Sequence, residues 1–208
     1  MDPNTFPTKG NLILAKNSLA LARQGYGLMD KKRNILIREL MGLIDQAKDI
    51  QSEIDVTFRE AYQALQKANI DLGINYVQGI SLLSPVENSV KSKTRSIMGT
   101  EIPLVQHDSA PVIPYYSFYN TSESLDIAKL KFEKVKELTI KLSMVENSAY
   151  RLASNIKKTQ KRANALKNIT IPTYEALTKN ISNALEEKDR EEFTRLKVIK
   201  RNKEKSNS

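Results

Sequence analysis

The chain contains no cysteine and no tryptophan, one histidine, and only 6% aromatic residues among its 208 residues. Without cysteine it can form neither a disulfide nor a thiolate metal site, which fits a reducing, intracellular setting. One histidine, His107, is too few for a zinc site, and we interpret it as a surface loop residue rather than a catalytic one. No glycine precedes a lysine, so the phosphate-binding loop of nucleotide-binding proteins is missing. The composition predicts a protein with no cofactor, no metal and no catalytic residues.

Long apolar runs are missing as well. No stretch approaches the roughly 18 apolar residues of a membrane helix, and the N-terminus has no signal-peptide pattern. We therefore expect no direct insertion into a membrane. The formal net charge is +9, but acidic and basic residues alternate along most of the chain, which is typical of a solvated helical surface.

Proline is absent from Asn11 to Leu72, where apolar residues recur at alternating steps of three and four. This spacing is typical of a coiled coil, and a helix of this length would be a rod on the order of 85 Å long. Only Arg33 and Thr57 interrupt this first apolar seam. Its members are Leu12, Ala15, Leu19, Ala22, Tyr26, Met29, Leu36, Leu40, Leu43, Ala47, Ile50, Ile54, Ala61, Ala64 and Ala68.

A second apolar seam with the same spacing lies in the C-terminal half. It then shifts by about one residue near Pro172, where we expect a bend or, alternatively, a break with Thr170 capping a new helix. Before the shift, its members are Val135, Leu138, Leu142, Val145, Ala149, Leu152, Ile156, Thr159, Ala163 and Leu166. After the shift, they are Tyr174, Leu177, Ile181, Leu185, Phe193 and Leu196.

Four of the seven prolines crowd the segment between the two seams, together with Gly79 and Gly99. Within it, residues 86–93 and 95–105 have alternating or β-branched character and predict a two-stranded ribbon. The predicted fold class is therefore all-α dominated, a long antiparallel two-helix coiled-coil hairpin with a short β-ribbon at the turn end. The predicted segments are a first helix within 1–72, a turn region at 73–120, a second helix within 121–200 and a disordered tail at 201–208.

Two groups of basic residues stand out from the mixed charge pattern, one in each predicted helix. In an antiparallel hairpin that turns near residues 72 and 122, Arg33 faces Lys161, so the two groups would meet at one level. Like charges brought together cost stability unless something acidic compensates them. We therefore hypothesise that they contact acidic loops of a surrounding partner, the alternative being an ordinary solvated surface. These residues, called the basic cluster below, are Lys31, Lys32, Arg33, Lys157, Lys158, Lys161 and Arg162. Arg190 and Arg195 are further candidate partner-binding residues.

Short recognisable motifs occur along nearly the whole chain. The densest is Lys158–Leu166 (KTQKRANAL), which is followed by Ile171-Pro172. The others are Pro7-Thr8-Lys9, Gly25-Tyr26 with Leu28, Lys32-Arg33 with Leu36, Ile97-Met98-Gly99 with Ile102-Pro103, Leu125-Asp126, Leu185-Glu186-Glu187, Arg190-Glu191-Glu192 and Arg195-Leu196-Lys197. Together these motifs resemble the D subunit of the vacuolar/archaeal-type (V-type) rotary ATPases. Asp30 departs from the family pattern, since a lysine is usual there.

The resemblance implies a non-catalytic rotor subunit of the central stalk, in the cytoplasm and peripheral to the membrane. Both termini would enter a hexamer of catalytic A and non-catalytic B subunits. We predict that Leu12–Leu43 and Thr159–Leu196 provide the contacts with this hexamer. The turn end would meet the F subunit of the central stalk and the funnel-like subunit that seats on the membrane rotor ring. The shaft would couple ATP hydrolysis or synthesis to the transport of protons or sodium ions.

Two other classes of function are compatible with a basic coiled coil. One is a structural or tethering protein, including one that binds a membrane surface. The other is a nucleic-acid-binding coiled coil, whose affinity would fall steeply with salt. The interspersed acidic residues argue against the second class, so no nucleic acid is expected as a partner.

Overall fold

The computed structural model describes residues 6–84, 90–107 and 114–206. Two long helical segments with a two-stranded antiparallel ribbon between them confirm the predicted fold class. The elements are α1 (Lys9–Leu72), α2 (Ile74–Ser81), β1 (Val90–Ile97), β2 (Thr100–His107), α3 (Glu123–Ala165), a π-helical turn (Leu166–Thr170) and α4 (Ile171–Ser206). Contacts divide the chain into two compact units, a terminal unit of residues 1–34 with 157–208 and a central unit of residues 35–156.

The first apolar seam is confirmed residue by residue, because every member from Leu12 to Ala68 is buried or half-buried in α1. Its two polar positions are satisfied. Thr57 is buried, and its hydroxyl donates to the carbonyl oxygen of Glu53 at 2.7 Å within the same helix. This internal bond removes the cost of placing a hydroxyl in an apolar contact.

In the terminal unit, α1 and α4 run antiparallel and bury a small core between them. Leu12 and Ala15 lie near the start of α1 and pack with residues from the first four turns of α4. An ion pair of 2.6 Å between Arg23 and Glu175 joins the two helices further along α1. The core consists of Ala15, Leu177 and Ile181, with Leu12, Tyr174 and Leu185 packed against it.

The core of the central unit joins α1 and α3 to the ribbon. Leu36 and Leu152 are fully buried, and they form one core cluster with Ile102 of β2. Further along, Lys131 of α3 pairs with Glu60 of α1 at 2.6 Å. The hydrogen bond and the charge of Lys131 hold the pKa of the Glu60 carboxyl below its usual value. Because partner numbers fall along α3 as they rise along α1, these helices are also antiparallel.

The ribbon reverses at Met98 and Gly99, whose φ angles of 48° and 75° are both positive. Positive φ at both central residues is the requirement of the two-residue hairpin turn that matches the twist of β-strands. The predicted ribbon exists, but the predicted second strand was wrong in its start, because residues 95–97 belong to β1. Residues 86–89 of the predicted first strand lie outside the described residues. His107, predicted in a loop, is the last residue of β2.

Helix α2 was missed in the sequence. Gly73 ends α1 with a φ of 88°, which residues other than glycine adopt only at a cost, and the chain then forms one further short helix. The segment has only eight residues and none of them is fully buried, so the short apolar spacing of Ile74, Val77 and Ile80 is not enough to distinguish a helix from a turn in the sequence.

The shift in the second seam coincides with the π-helical turn at Leu166–Thr170. A π turn takes up one residue more than an α turn, which accounts for the shift by one residue. Ala165 and Ile171 on either side have α-helical φ and ψ, and the Thr170 hydroxyl donates to the Ala165 carbonyl at 3.4 Å. The alternative of a break capped by Thr170 is therefore excluded. Pro172 follows directly, where its missing N–H removes a bond from a ladder already interrupted.

The predicted continuation of the second seam to Phe193 and Leu196 is wrong. These side chains are 69% and 65% exposed, and the seam ends at Leu185. The reason is that Leu185 already packs near Leu12, and α1 begins at Lys9, so it offers few residues beyond that level. Helix α4 extends to Ser206, into the segment for which a disordered tail is predicted, and the mobility of that tail stays a prediction.

We predict that Leu152→Ala lowers the free energy of unfolding by about 2–5 kcal/mol, because it opens a cavity in a fully closed core. Urea unfolding followed by circular dichroism measures this. Leu130→Ala in the same helix is the matched control, since Leu130 is 56% exposed and should change stability by less than about 0.5 kcal/mol. Equal losses in both variants would contradict the assigned core.

Candidate functional site: the basic cluster of the terminal unit

Arg33 lies at a position of the apolar seam and is the most connected side chain of the basic cluster. Its Nη1 donates to Oε1 of Gln160 at 2.9 Å, and its Nη2 pairs with Asp30 at 2.6 Å. Asn34 accepts from the same guanidinium at 3.2 and 3.4 Å. Gln160 in turn donates to Asn164 at 2.8 Å. The arginine is half-buried and joins α1 to α3 by polar bonds where the apolar seam is interrupted.

The bond between Arg33 and Gln160 brings the two basic groups to one level of the terminal unit. Gln160 lies between Lys158 and Lys161 in α3, so the expected approach of Arg33 to Lys161 is met within one residue. The other cluster side chains are exposed, apart from the half-buried Lys32. Within the part of the chain that the structure describes, they form no hydrogen bond or ion pair with another residue. Their role in partner binding stays a prediction.

Asp30 neutralises part of this charge. Among the described residues its ion pair is with Arg33, and its Oδ2 also accepts a hydrogen bond from Asn34 at 3.5 Å. The side chains of Asp30 and Arg33 are about one-third exposed or less. The remaining cations have no carboxylate from the described part of the chain to offset them. The arrangement can therefore attract acidic side chains by charge, but it offers no acid, base or nucleophile arranged for chemistry. Among the described residues, no group of histidine, aspartate and glutamate could hold a metal ion.

Arg190 and Arg195, the other candidate residues, lie outside the basic cluster on the exposed part of α4. Arg190 lies 4.0 Å from Glu186, and Arg195 lies 3.9 Å from Glu191. All four side chains are more than 60% exposed, so each pair contributes little to stability. These arginines remain available to a partner.

A second surface feature of the terminal unit was missed in the sequence. Leu14, Leu21 and Leu28 lie seven residues apart in α1, and their side chains are 53–68% exposed. Seven residues are close to two helical turns, so the three leucines form a stripe on one face. The seven-residue spacing of these leucines is visible in the sequence, but the longer first apolar seam on the same helix obscures it.

The central unit contains an apolar cleft of about 400 Å³ between α1, α2 and α3. At its edge the ammonium of Lys129 lies 4.7 Å from the ring centre of Tyr115 and 5.4 Å from that of Tyr116. Burial lowers the pKa of Lys129, and burial together with a hydrogen bond to Asp126 raises the pKa of Tyr116 above its usual value. The apolar lining consists of Leu65, Val77, Ile80, Leu125, Ala128 and Phe132.

None of the helices formed by residues 6–84 and 114–206 is both long and apolar enough to cross a membrane. The described residues form a helical scaffold whose surface carries exposed charged and apolar side chains.

Comparison with known proteins agrees with this geometry. The family model for the D subunit of ATP synthase matches residues 11–201. The D subunit of the V-type ATP synthase of Thermotoga neapolitana is 46% identical over 93% of this chain and 96% of its own length. The D subunits of the A-type ATP synthases of Thermococcus kodakarensis and Methanobrevibacter smithii are each 37% identical, covering 95% and 97% of this chain and 94% and 89% of their own. The chain therefore belongs to the family of D subunits of the V/A-type ATP synthases, the non-catalytic subunit of the central stalk.

We predict that Arg33→Ala lowers the free energy of unfolding by about 1–2 kcal/mol, because it removes the bonds to Gln160 and Asp30 from a half-buried position. Thermal or urea unfolding measures this. Arg23→Ala is the matched control, since the Arg23–Glu175 pair also joins two helices but is largely exposed and should cost less than about 0.5 kcal/mol. The assigned role of Arg33 is contradicted if the two variants are equally stable.

Proposed function

We propose that this chain is the rotor shaft of the central stalk. It couples ATP hydrolysis or synthesis in the hexamer of A and B subunits to rotation of the membrane ring, and thereby to the transport of protons or sodium ions. It works in the cytoplasm at the membrane periphery. The observation that carries the proposal is the terminal unit, in which two interlocked helices present unpaired cations and a separate leucine stripe to their surroundings.

Torque transmission requires that the two helices do not slip past each other. Each apolar residue of a seam at this spacing inserts between residues of the facing helix, so rotation of one helix against the other would break many close contacts at once. The ion pair of Arg23 with Glu175 and the hydrogen bond of Arg33 with Gln160 add polar joints on the same unit. These contacts support a stiff shaft.

Rotation is productive only if the shaft presents different surfaces to three chemically identical A/B interfaces. Consider a catalytic site whose ratio of closed to open states changes from 1:99 to 99:1. The shaft must then bind the closed state more tightly than the open state by about 5.5 kcal/mol. The discrimination requires exposed side chains that differ around the circumference of the shaft, and the exposed cations of the basic cluster together with the exposed Leu14, Leu21 and Leu28 are the side chains that we propose supply it.

The C-terminal part of α4 is a further contact for the hexamer. Every residue from 186 to 203 is exposed, although the segment carries several large apolar side chains. Exposed apolar side chains of this density are typical of a surface that another protein covers. They are Phe193, Leu196, Val198 and Ile199, and Arg190 and Arg195 lie beside them.

The central unit carries the contacts that we assign to the F subunit and to the funnel-like subunit seated on the rotor ring. Large apolar side chains are exposed around the C-terminal end of α1, the end of α2 and the segment before α3. Such a patch also needs a covering partner. Its members are Ile70, Ile74, Leu82, Leu83, Phe118 and Tyr119, with exposures of 62–82%.

Deleting residues from Arg195 onward is expected to weaken coupling between ATP hydrolysis and rotation, because it removes exposed side chains that touch only the hexamer. The measurement is ATP-driven rotation and ion transport by the reconstituted complex. The thermal stability of the isolated chain is the control and should not change, since every described side chain from Arg195 to Lys203 is exposed. Unchanged torque and coupling would count against this contact.

Reversing the charges of Lys31, Lys158, Lys161 and Arg162 together is expected to reduce assembly with the A and B subunits by at least about tenfold. Arg33 is left intact because its loss would also destabilise the chain. The matched control exchanges lysine for arginine and arginine for lysine at the same four positions, which keeps the charge and should leave assembly unchanged. Native mass spectrometry of the reconstituted complex measures both variants. Equal assembly of the reversed variant and the control would refute an acidic partner at the basic cluster.

A further inference from the structure

The hairpin turn determines which backbone groups of each strand point toward the other strand and which point away from it. In a two-residue turn, the flanking residues Ile97 and Thr100 form a hydrogen-bonded pair, and every second pair after it is bonded in the same way. The pairs Arg95 with Ile102 and Lys93 with Leu104 are therefore bonded. The residues between them turn their N–H and C=O groups away from the other strand. These are Ser92, Thr94 and Ser96 on β1 and Glu101, Pro103 and Val105 on β2.

The outer edge of β2 is already covered by α3. Pro103 has no N–H to donate, which is tolerated at this position because its nitrogen faces away from the ladder. Side chains of α3 bond to three of the remaining outward groups. Arg151 donates to the Glu101 carbonyl at 3.3 Å, Ser148 to the Pro103 carbonyl at 3.4 Å, and the Val105 N–H to the Met144 sulfur at 3.2 Å.

The outer edge of β1 has no such cover. Within the residues that the structure describes, no hydrogen bond satisfies the outward backbone groups of Ser92, Thr94 or Ser96. Every side chain of the strand is exposed except the half-buried Ile97. The strand is eight residues long, pairs without a bulge and contains no proline. An open edge of this length is a template for a further strand.

The charges on β1 select the kind of strand that can pair there. Lys91, Lys93 and Arg95 alternate along the strand, so all three lie on one face. A second copy of β1 would place cations opposite cations, which disfavours pairing between copies. A strand with acidic residues at alternate positions would place opposite charges across the new pair, which favours it.

We propose that the open edge of β1 takes up an extended acidic segment of another subunit of the ATP synthase as a third strand. The incoming backbone bonds to Ser92, Thr94 and Ser96, and its carboxylates lie beside Lys93 and Arg95. This inference rests on the proposed function, because the segment comes from a subunit of the same complex.

Residue-resolved hydrogen exchange on the isolated chain and on the purified complex tests it. Assembly should slow exchange of the Ser92, Thr94 and Ser96 amides by at least about tenfold, because each gains a backbone bond. The amides of Lys93 and Arg95, already bonded to β2, should change much less. Unchanged exchange at all three outward amides in a complex that contains the chain would overturn this inference alone. Absence of the chain from the complex would overturn the proposed function as well.

A pair of variants distinguishes the pairing of a new strand with β1 from burial of β1 without new backbone hydrogen bonds. Thr94→Pro removes one outward N–H and leaves the bonds to β2 in place, whereas Thr94→Ala keeps the N–H. In the complex, Thr94→Pro should lose the tenfold protection of Ser92 and Ser96, and Thr94→Ala should retain it. Retained protection in the proline variant would overturn the inference.

A charge variant covers the case in which proline disturbs the ribbon itself. Disturbance would show as faster exchange of the Lys93 and Arg95 amides in the isolated chain. Lys93→Glu combined with Arg95→Glu leaves the backbone unaltered and should remove the protection of the three outward amides on assembly. The neutral pair Lys93→Gln and Arg95→Gln should retain most of it. Full protection in the glutamate variant would exclude an acidic strand.

Discussion

Each of the two units depends on a narrow apolar contact between antiparallel helices. Apolar residues at alternating steps of three and four stay on one side of α1, and the facing helix presents the same spacing. The buried clusters among the described residues are small, such as Ala15 with Leu177 and Ile181 in the terminal unit and Leu36 with Ile102 and Leu152 in the central unit. The stability of such a contact comes from repetition along the helices rather than from a large core, which leaves most of the surface available to partners.

Three of the interruptions of the apolar contact correspond to distinct structural features. Arg33 replaces an apolar residue and forms a polar joint with Gln160, which brings the two basic groups together. The π-helical turn at Leu166–Thr170 adds one residue and carries the seam past Pro172 without a break. Ile102 of β2 inserts beside Leu36 and Leu152 and so attaches the ribbon to the helices. Each irregularity is satisfied locally, so the regular packing continues on both sides.

A protein of this construction works through surfaces rather than through chemistry. Its exposed cations, its leucine stripe, the exposed part of α4 and the open edge of β1 are the surfaces that we propose other subunits cover. These surfaces differ from one another in charge and polarity. A stalk subunit needs such differences, because its rotation affects its neighbours only if different sides of the stalk present different surfaces to them.

The sequence by itself determined the two long helical segments, their antiparallel pairing and the approximate register, because a repeat of apolar residues at helical spacing is a local property that packing has no reason to override. It also predicted the place of the irregularity near Pro172 and the facing of Arg33 and the residues around Lys161. Only the tertiary structure decided which apolar side chains and which edge of the ribbon are covered by another element. Phe193 and Leu196 continue the apolar pattern but are exposed, because α1 offers too few residues to cover them. The edges of the ribbon show the same limit, since α3 covers β2 and leaves β1 open, and nothing in either strand determines which edge a distant helix will meet.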